Sequence, residues 1–176
     1  VIRLSLVRAF YIAVLREVEA ILDNRDSDTE KASEVQKEGE VYYRIIEEFV
    51  SSENPTGNET IKSQLTGELS GVVADTIVSE LSKGFIGRVE DELESNESAL
   101  NEGDLLDAVV TAEEALLYSR VFLEDLEIRL GFEERVEIED ALHDLRSASN
   151  SENKGKANTA GQTIRDVIGS YEKELL

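Results

Sequence analysis

The sequence contains no cysteine, no methionine and no tryptophan, and it has one proline and one histidine. Without cysteine, disulfide bonds, thiolate metal sites and cysteine nucleophiles are all excluded. A lone histidine cannot supply the paired Glu-x-x-His motifs of di-iron helical bundles, so that enzyme class is excluded too. Because position 1 is not methionine, we predict that the chain is a processed or excised part of a larger protein.

Positive charge is also scarce, since 39 acidic residues face 18 basic ones and leave a net charge of −21. Such a charge repels the phosphates of nucleic acids and of anionic membranes, so we expect neither as a partner. It also destabilises a compact chain at low salt, whereas molar salt shortens the Debye length to about 3 Å. We therefore predict a halophile-adapted protein; an ordinary acidic protein is the alternative.

Long hydrophobic runs are missing as well. The opening stretch VIRLSLVRAFYIAVL is the most apolar, but Arg3 and Arg8 interrupt it. A membrane-spanning helix needs about 20 consecutive apolar residues. We therefore expect no direct membrane insertion by this segment.

Apolar residues recur at steps of three and four along most of the chain, which predicts amphipathic helices and no strands. The expected fold class is all-α, an antiparallel helical bundle of five to seven helices in a single domain over residues 1–176. The helix at 59–95 should break or kink near Ser70–Gly71, because its apolar residues step by four and drift around the helix. The predicted helices cover residues 2–23, 30–51, 59–95, 103–130, 133–148 and 157–175.

The first and last helix pairs resemble each other. In each pair a helix is followed by a polar loop and then by a helix that opens on a Lys-Ala dipeptide, at Lys31-Ala32 and Lys156-Ala157. Two explanations remain open, an old duplication of a helical hairpin and two unrelated hairpins with a common pattern.

The stretch EGEVYYRIIEEFV (38–50) is the first candidate site. On a helical wheel Tyr42 falls inside the apolar arc, whereas Tyr43 lies at its edge beside Glu40 and Glu47. Tyrosine and glutamate oxygens are hard ligands that suit ferric iron. The stripe therefore predicts a possible site for ferric iron or another hard metal ion; the alternative is the solvated edge of a core helix.

The second candidate lies on the predicted helix 103–130, where Glu113, Arg120 and Glu127 recur every seven residues between two apolar strips. Charges enclosed by apolar residues must pair or coordinate something. The pattern predicts either a salt-bridge network centred on Arg120 or a carboxylate metal site built from Glu113 and Glu127.

Three other features carry weaker expectations. His143 should lie on the surface near Glu139, as an ordinary charged-face histidine. Asn58 and Asn96 fit the N-glycosylation pattern and also fall where helix caps are expected. They favour export only slightly.

The runs EVQKEGEVYYRIIEEFVSSENPTGNETIKSQL (34–65) and GDLLDAVVTAEEAL (103–116) resemble the acidic, helical, extracytoplasmic domains of haloarchaea. Those domains accompany halocyanin-type cupredoxins or iron permeases. The resemblance implies a helical fold and a location outside the cytoplasm, at the cell surface. The Arg-Glu-Gly-x-Glu signature of iron permeases and the Gly-x-His-x-x-Glu signature of imelysin-like proteins are absent, which leaves iron binding open.

Together these features predict a non-enzymatic accessory domain that binds a metal ion or a protein partner. The alternative is a structural module whose apolar faces pack against copies of itself or against a partner chain.

Overall fold

The computed structural model describes the backbone of residues 2–175 and the side chains of residue 4 and residues 6–175. The described chain is all-helical, as predicted, but it contains eight α-helices and a short 3-10 turn, so the expected count of five to seven was too low. The helices are α1 (Ile2–Asn24), α2 (Thr29–Ser51), α3 (Pro55–Thr66), α4 (Ala74–Glu102), α5 (Leu105–Ser119), α6 (Leu123–Leu130), α7 (Phe132–Asn150) and α8 (Lys154–Glu172).

Four of the helices begin in the same way, with an Asp or Asn side chain that caps the first turn. The side-chain oxygens of Asp28, Asn54, Asp104 and Asn153 each accept a hydrogen bond from the backbone N–H three residues later, at 3.0–3.1 Å. Such caps satisfy N–H groups that have no partner inside the helix. The junction between α6 and α7 has no side-chain cap and is formed by Gly131, whose φ is 121°.

The extra helices come from two boundaries that periodicity alone misplaced. The predicted helix 103–130 is two helices, because the backbone turns at residues 120–122 between α5 and α6. The predicted helix 59–95 is also two, with the 3-10 turn at Leu69–Gly71 between them, which confirms the expected break. The stretch 96–102, which lay between two predicted helices, belongs to α4.

The chain forms two compact units, residues 2–84 and 85–175, and the boundary falls inside α4. The expectation of one domain stays a prediction, and residues 1 and 176 lie outside the described residues. In the first unit α1 and α2 pack in antiparallel directions, since the ring of Phe10 approaches Tyr42 at 6.1 Å and Glu17 lies against Gly39. Helix α3 joins through Gln36, whose Nε2 donates to the carbonyl oxygens of Gln64 and Gly67.

The second unit is organised around buried polar and aromatic contacts. Nδ2 of Asn96 on α4 lies 2.5 Å from the carbonyl oxygen of Ala108 and 3.0 Å from Oγ of Ser149, and so joins α4 to α5 and α7. Tyr171 of α8 stacks on Phe122 with ring centroids 5.7 Å apart, and its hydroxyl donates to Asp125 at 2.5 Å. These contacts fix the relative positions of the helices in this unit.

Among residues 2–175, no helix combines the length and the apolar character that crossing a bilayer requires.

Candidate functional site

Tyr43 lies in the core of the first unit. Its side chain is 1% exposed, and its hydroxyl donates a hydrogen bond to Oδ1 of Asn58 on α3 at 2.7 Å. Burial, and then the negative charges of Glu47 and Glu59, raise the pKa of Tyr43 above its ordinary value. Iron ligation requires the tyrosinate, so this environment opposes the form of Tyr43 that would bind ferric iron.

The predicted positions of the two adjacent tyrosines were reversed. Tyr43 is buried, whereas Tyr42, expected in the core, is half-exposed and lies at the α1 edge beside Phe10. The reason is that α2 packs against two neighbours, α1 and α3. Because α2 is covered on two sides, its buried face is centred closer to Tyr43. A helical wheel that assumes one neighbouring helix does not show this.

The two glutamates of the same stretch, Glu40 and Glu47, form ion pairs with basic side chains. Glu40 pairs with Arg44, one turn later on α2, at 2.5 Å, and Glu47 pairs with Lys62 of α3 at 3.1 Å. Within the described part of the chain, no group of three or more His, Asp or Glu side chains is arranged to hold a metal ion. Glu40, Tyr43 and Glu47 therefore each have a partner other than a metal, and they serve packing and surface pairing.

Glu113 and Glu127 are separated by the break between α5 and α6. Glu113 pairs with Arg146 of α7 at 2.9 Å, and Glu127 pairs with Arg135, near the start of α7. The expected network centred on Arg120 is wrong, since Arg120 is exposed at the end of α5. The turn at 120–122 destroys the seven-residue register, so the cations come from α7 instead.

The histidine and the two sequons take the following positions. His143 is exposed, as predicted. The asparagines at 58 and 96 are 6% and 2% exposed, inside α3 and α4 instead of at their caps. Both side chains hold buried hydrogen bonds, so neither amide is accessible to a glycosylating enzyme in the folded chain.

A carboxyl pair that the sequence did not indicate joins α4 to α5. Glu92 and Glu114 lie within hydrogen-bonding reach of each other, and both are half-buried. Burial, then the charges of Glu114 and Asp91, raise the pKa of Glu92 to about 7, against the opposing effect of Arg88. Near neutral pH Glu92 is therefore partly protonated, which makes its contacts sensitive to pH.

The α1–α2 hairpin carries an exposed apolar groove along one side. Leu6, Val41 and Ile45 are 54%, 55% and 49% exposed. Phe10 of α1 and Tyr42 of α2 are half-exposed, and their rings lie 6.1 Å apart. We call these five residues the α1–α2 groove.

Two carboxylates close one end of the α1–α2 groove. A Cβ placed on Gly39 would lie 3.2 Å from Cβ of Glu17, so Glu17 packs directly against α2 there, next to Glu38. Burial, and then the charge of Glu38, raise the pKa of Glu17 above its ordinary value, and Lys31 acts in the opposite direction. The groove therefore runs from apolar side chains to a pair of like charges.

The α7–α8 hairpin provides an internal comparison. Ten buried positions of α7 and α8 have the same spacing as ten of α1 and α2, with intervals of 3, 4 and 3 in the first helix and of 3, 1, 3, 4 and 3 in the second. Leu142, Ser149 and Val167 are also buried but have no buried counterpart. The matching buried positions are 11, 14, 18, 21, 32, 35, 36, 39, 43 and 46 in the first hairpin and 138, 141, 145, 148, 157, 160, 161, 164, 168 and 171 in the second.

With this alignment, the exposed groove positions of the two hairpins differ in character. The counterparts of Leu6, Phe10, Val41 and Ile45 are Glu133, Glu137, Asp166 and Ser170, all exposed. Of these four counterparts, Glu137 lines a groove on α7–α8, together with Asp140, Asp144 and several alanines. The fold therefore does not require apolar residues at these positions, and their presence on α1–α2 has another cause.

Three other large apolar side chains are strongly exposed, all in the second unit. Leu106 is 77% exposed at the start of α5, and Ile128 and Phe132 are 81% and 67% exposed on either side of Gly131. Leu106 and Val110 belong to an apolar strip of which only the later residues, Leu117 and Val121, are buried.

The sequence did contain a signal for the α1–α2 groove. Leu6 and Phe10 are four residues apart on α1, and Val41 and Ile45 are four residues apart on α2, in each case away from the main apolar stripe. A second apolar strip on a helix can be buried by another neighbour or left exposed. The sequence does not distinguish these cases, because they depend on how the helices pack.

Comparison with known proteins finds no matching family model, no matching curated protein and no matching solved structure.

Proposed function

We propose that this chain is a non-enzymatic helical interaction domain, which binds a protein partner through the α1–α2 groove. The observation that carries the proposal is the difference between the two hairpins. Where α7–α8 presents carboxylates and a serine, α1–α2 presents leucine, phenylalanine, valine and isoleucine. On a chain with a net charge of −21, an apolar strip that packing does not require is best explained by binding.

The matched spacings also support an old duplication of the helical hairpin. On this proposal the two copies kept their buried residues and diverged on the exposed side. Helix α8 begins as α2 does, since Asn153 and Asp28 both cap the backbone N–H of the lysine three residues later. One copy then became an acidic, solvated face and the other a binding face.

The α1–α2 groove supplies part of the energy that specific binding needs, since association itself costs about 4–15 kcal/mol. Complete burial of an exposed Leu, Ile or Val side chain contributes about 1.5–3 kcal/mol. Since Leu6, Val41 and Ile45 are roughly half-exposed, each gains about 1 kcal/mol on being covered. The aromatic pair Phe10 and Tyr42 adds the kind of anchor that dominates protein interfaces.

A partner protein is favoured over a metal ion. The burial and raised pKa of Tyr43 give ferric-iron binding little support. Two copies with a net charge of −21 each repel one another unless salt screens them. The acidic surface supports a salt-rich setting, and an extracytoplasmic location stays a proposal to which the buried sequons add nothing.

The test is a selection from a displayed peptide library, performed on the folded chain in 0.5–1 M KCl. The double variant Val41→Glu/Ile45→Glu identifies peptides whose binding depends on the groove. The matched control is Leu106→Glu on α5, which replaces an exposed apolar residue outside the groove. We expect peptides that bind the native chain and the Leu106 variant but not the double variant. Peptides that bind all three equally, or no enriched peptide, would refute the proposed function.

A further inference from the structure

We infer that the occupant of the α1–α2 groove is an amphipathic helix of the partner protein, with a lysine or arginine seated between Glu17 and Glu38. The inference rests on the proposed function and adds the chemistry of the partner. It follows from the shape of the groove, from the charge at its closed end and from the spacing between the two.

The shape of the groove favours a helix. Both walls are helices, α1 and α2, and their backbone N–H and C=O groups are used within the helices, except at the ends. An extended peptide gains most of its affinity from backbone hydrogen bonds to a strand edge, and residues 2–175 contain no strand. A helix needs only side-chain contacts, and it fits between two antiparallel helices by ridge-into-groove packing.

The closed end of the groove favours a cation. Glu17 is held against α2 at Gly39, beside Glu38, and the charge of Glu38 acts on Glu17 more strongly than that of Lys31 does. The other charges close to this end are Lys31, which pairs with Glu34 at 3.4 Å, and the exposed Lys37. An incoming lysine or arginine would relieve the repulsion between the two carboxylates and form charge-assisted hydrogen bonds with them.

The spacing on α2 sets the spacing expected in the partner. Ile45, Val41 and Glu38 follow one another at steps of four and three residues, so the cation lies about 10 Å along the helix axis from the first apolar contact. On the opposite wall, Leu6, Phe10 and Glu17 cover about 16 Å. A partner helix should therefore carry apolar residues at i and at i+3 or i+4, followed by lysine or arginine near i+7.

The test uses the same selection with two further variants, Glu17→Gln and Glu38→Gln, together and singly. On the native chain we expect groove-dependent peptides to share the apolar pair and to prefer lysine or arginine near i+7. On the double glutamine variant the apolar preference should remain and the basic preference should disappear. Circular dichroism of each variant establishes that the helices are intact.

A synthetic peptide from the selection gives the quantitative measurement. We expect replacement of its basic residue by glutamine to weaken binding to the native chain about three- to fivefold, and to leave binding to the double glutamine variant unchanged, by titration calorimetry. Groove-dependent peptides without a basic preference would overturn this inference and leave the proposed function standing. The absence of any groove-dependent peptide would overturn both, and enriched peptides without helical spacing would overturn the helical partner alone.

Discussion

The carboxyl pair of Glu92 and Glu114 should make the stability of the second unit depend on pH. The pKa of Glu92 is raised from its ordinary 4.5 to about 7 by burial and by Glu114. The folded state then holds a proton that the unfolded chain releases, so this pair's contribution to stability is fully present below about pH 4.5 and is lost as pH rises through 7. Replacing Glu92 by glutamine removes the carboxylate and keeps a hydrogen-bonding side chain.

The magnitude follows from the displacement of the pKa. Raising the pKa from 4.5 to about 7 corresponds to about 3 kcal/mol, at about 1.4 kcal/mol for each pH unit. Because Glu92 is only half-buried, solvent screens the interaction, and we reduce the expected effect to about 1–2 kcal/mol. Glu92→Gln should therefore stabilise the chain by that amount at pH 8 and by nearly nothing at pH 4.5.

The assay is thermal or urea unfolding followed by circular dichroism, with amide hydrogen exchange of α4 and α5 as a local measurement. For a chain of this size, 1–2 kcal/mol corresponds to a Tm increase of about 2–8 °C at pH 8. Glu97→Gln on the exposed side of α4 is the control, since it removes the same charge. A gain that is equal at pH 4.5 and pH 8, or that the control reproduces, would show that net charge and not the Glu92–Glu114 contact is responsible.

Three further predictions concern the core, the salt dependence and helix packing. Tyr43→Phe should lower the free energy of unfolding by about 1–2 kcal/mol, because it leaves the buried Oδ1 of Asn58 without its hydrogen bond. A titration of the native chain with ferric iron should show no saturable tyrosinate-to-iron absorption band. Such a band would restore the metal hypothesis. Raising KCl from 0.2 to 2 M should increase the Tm, since salt screens the net charge of −21, and an unchanged or falling Tm would refute halophile adaptation. Gly84→Ala should destabilise the chain by about 1–3 kcal/mol, because the new Cβ would lie 2.9 Å from Cα of Val50. The control is Gly169→Ala, where the new Cβ meets open space. This control should be neutral or stabilising by up to about 1 kcal/mol.

The sequence by itself determined the helical class and most helix positions. Apolar residues at steps of three and four admit only helices here, and side-chain caps such as Asp28 and Asn153 set several starts from local chemistry alone. The same local character explains the exclusions, since the absence of cysteine and the net charge of −21 hold for any fold. The break near Ser70–Gly71 was also visible, because drift of the apolar stripe is a property of the helix itself.

Only the tertiary structure decided which face of each helix is buried and how far. Tyr43 became a core residue and Tyr42 an edge residue because α2 packs on both α1 and α3. Glu113 and Glu127 found their partners on α7 because the chain turns after Ser119, which local periodicity did not reveal. The α1–α2 groove and the Glu92–Glu114 pair are likewise contacts between helices. A helical period states which residues share a face of one helix, but exposure, charge pairing and pKa depend on the neighbouring helix that covers that face.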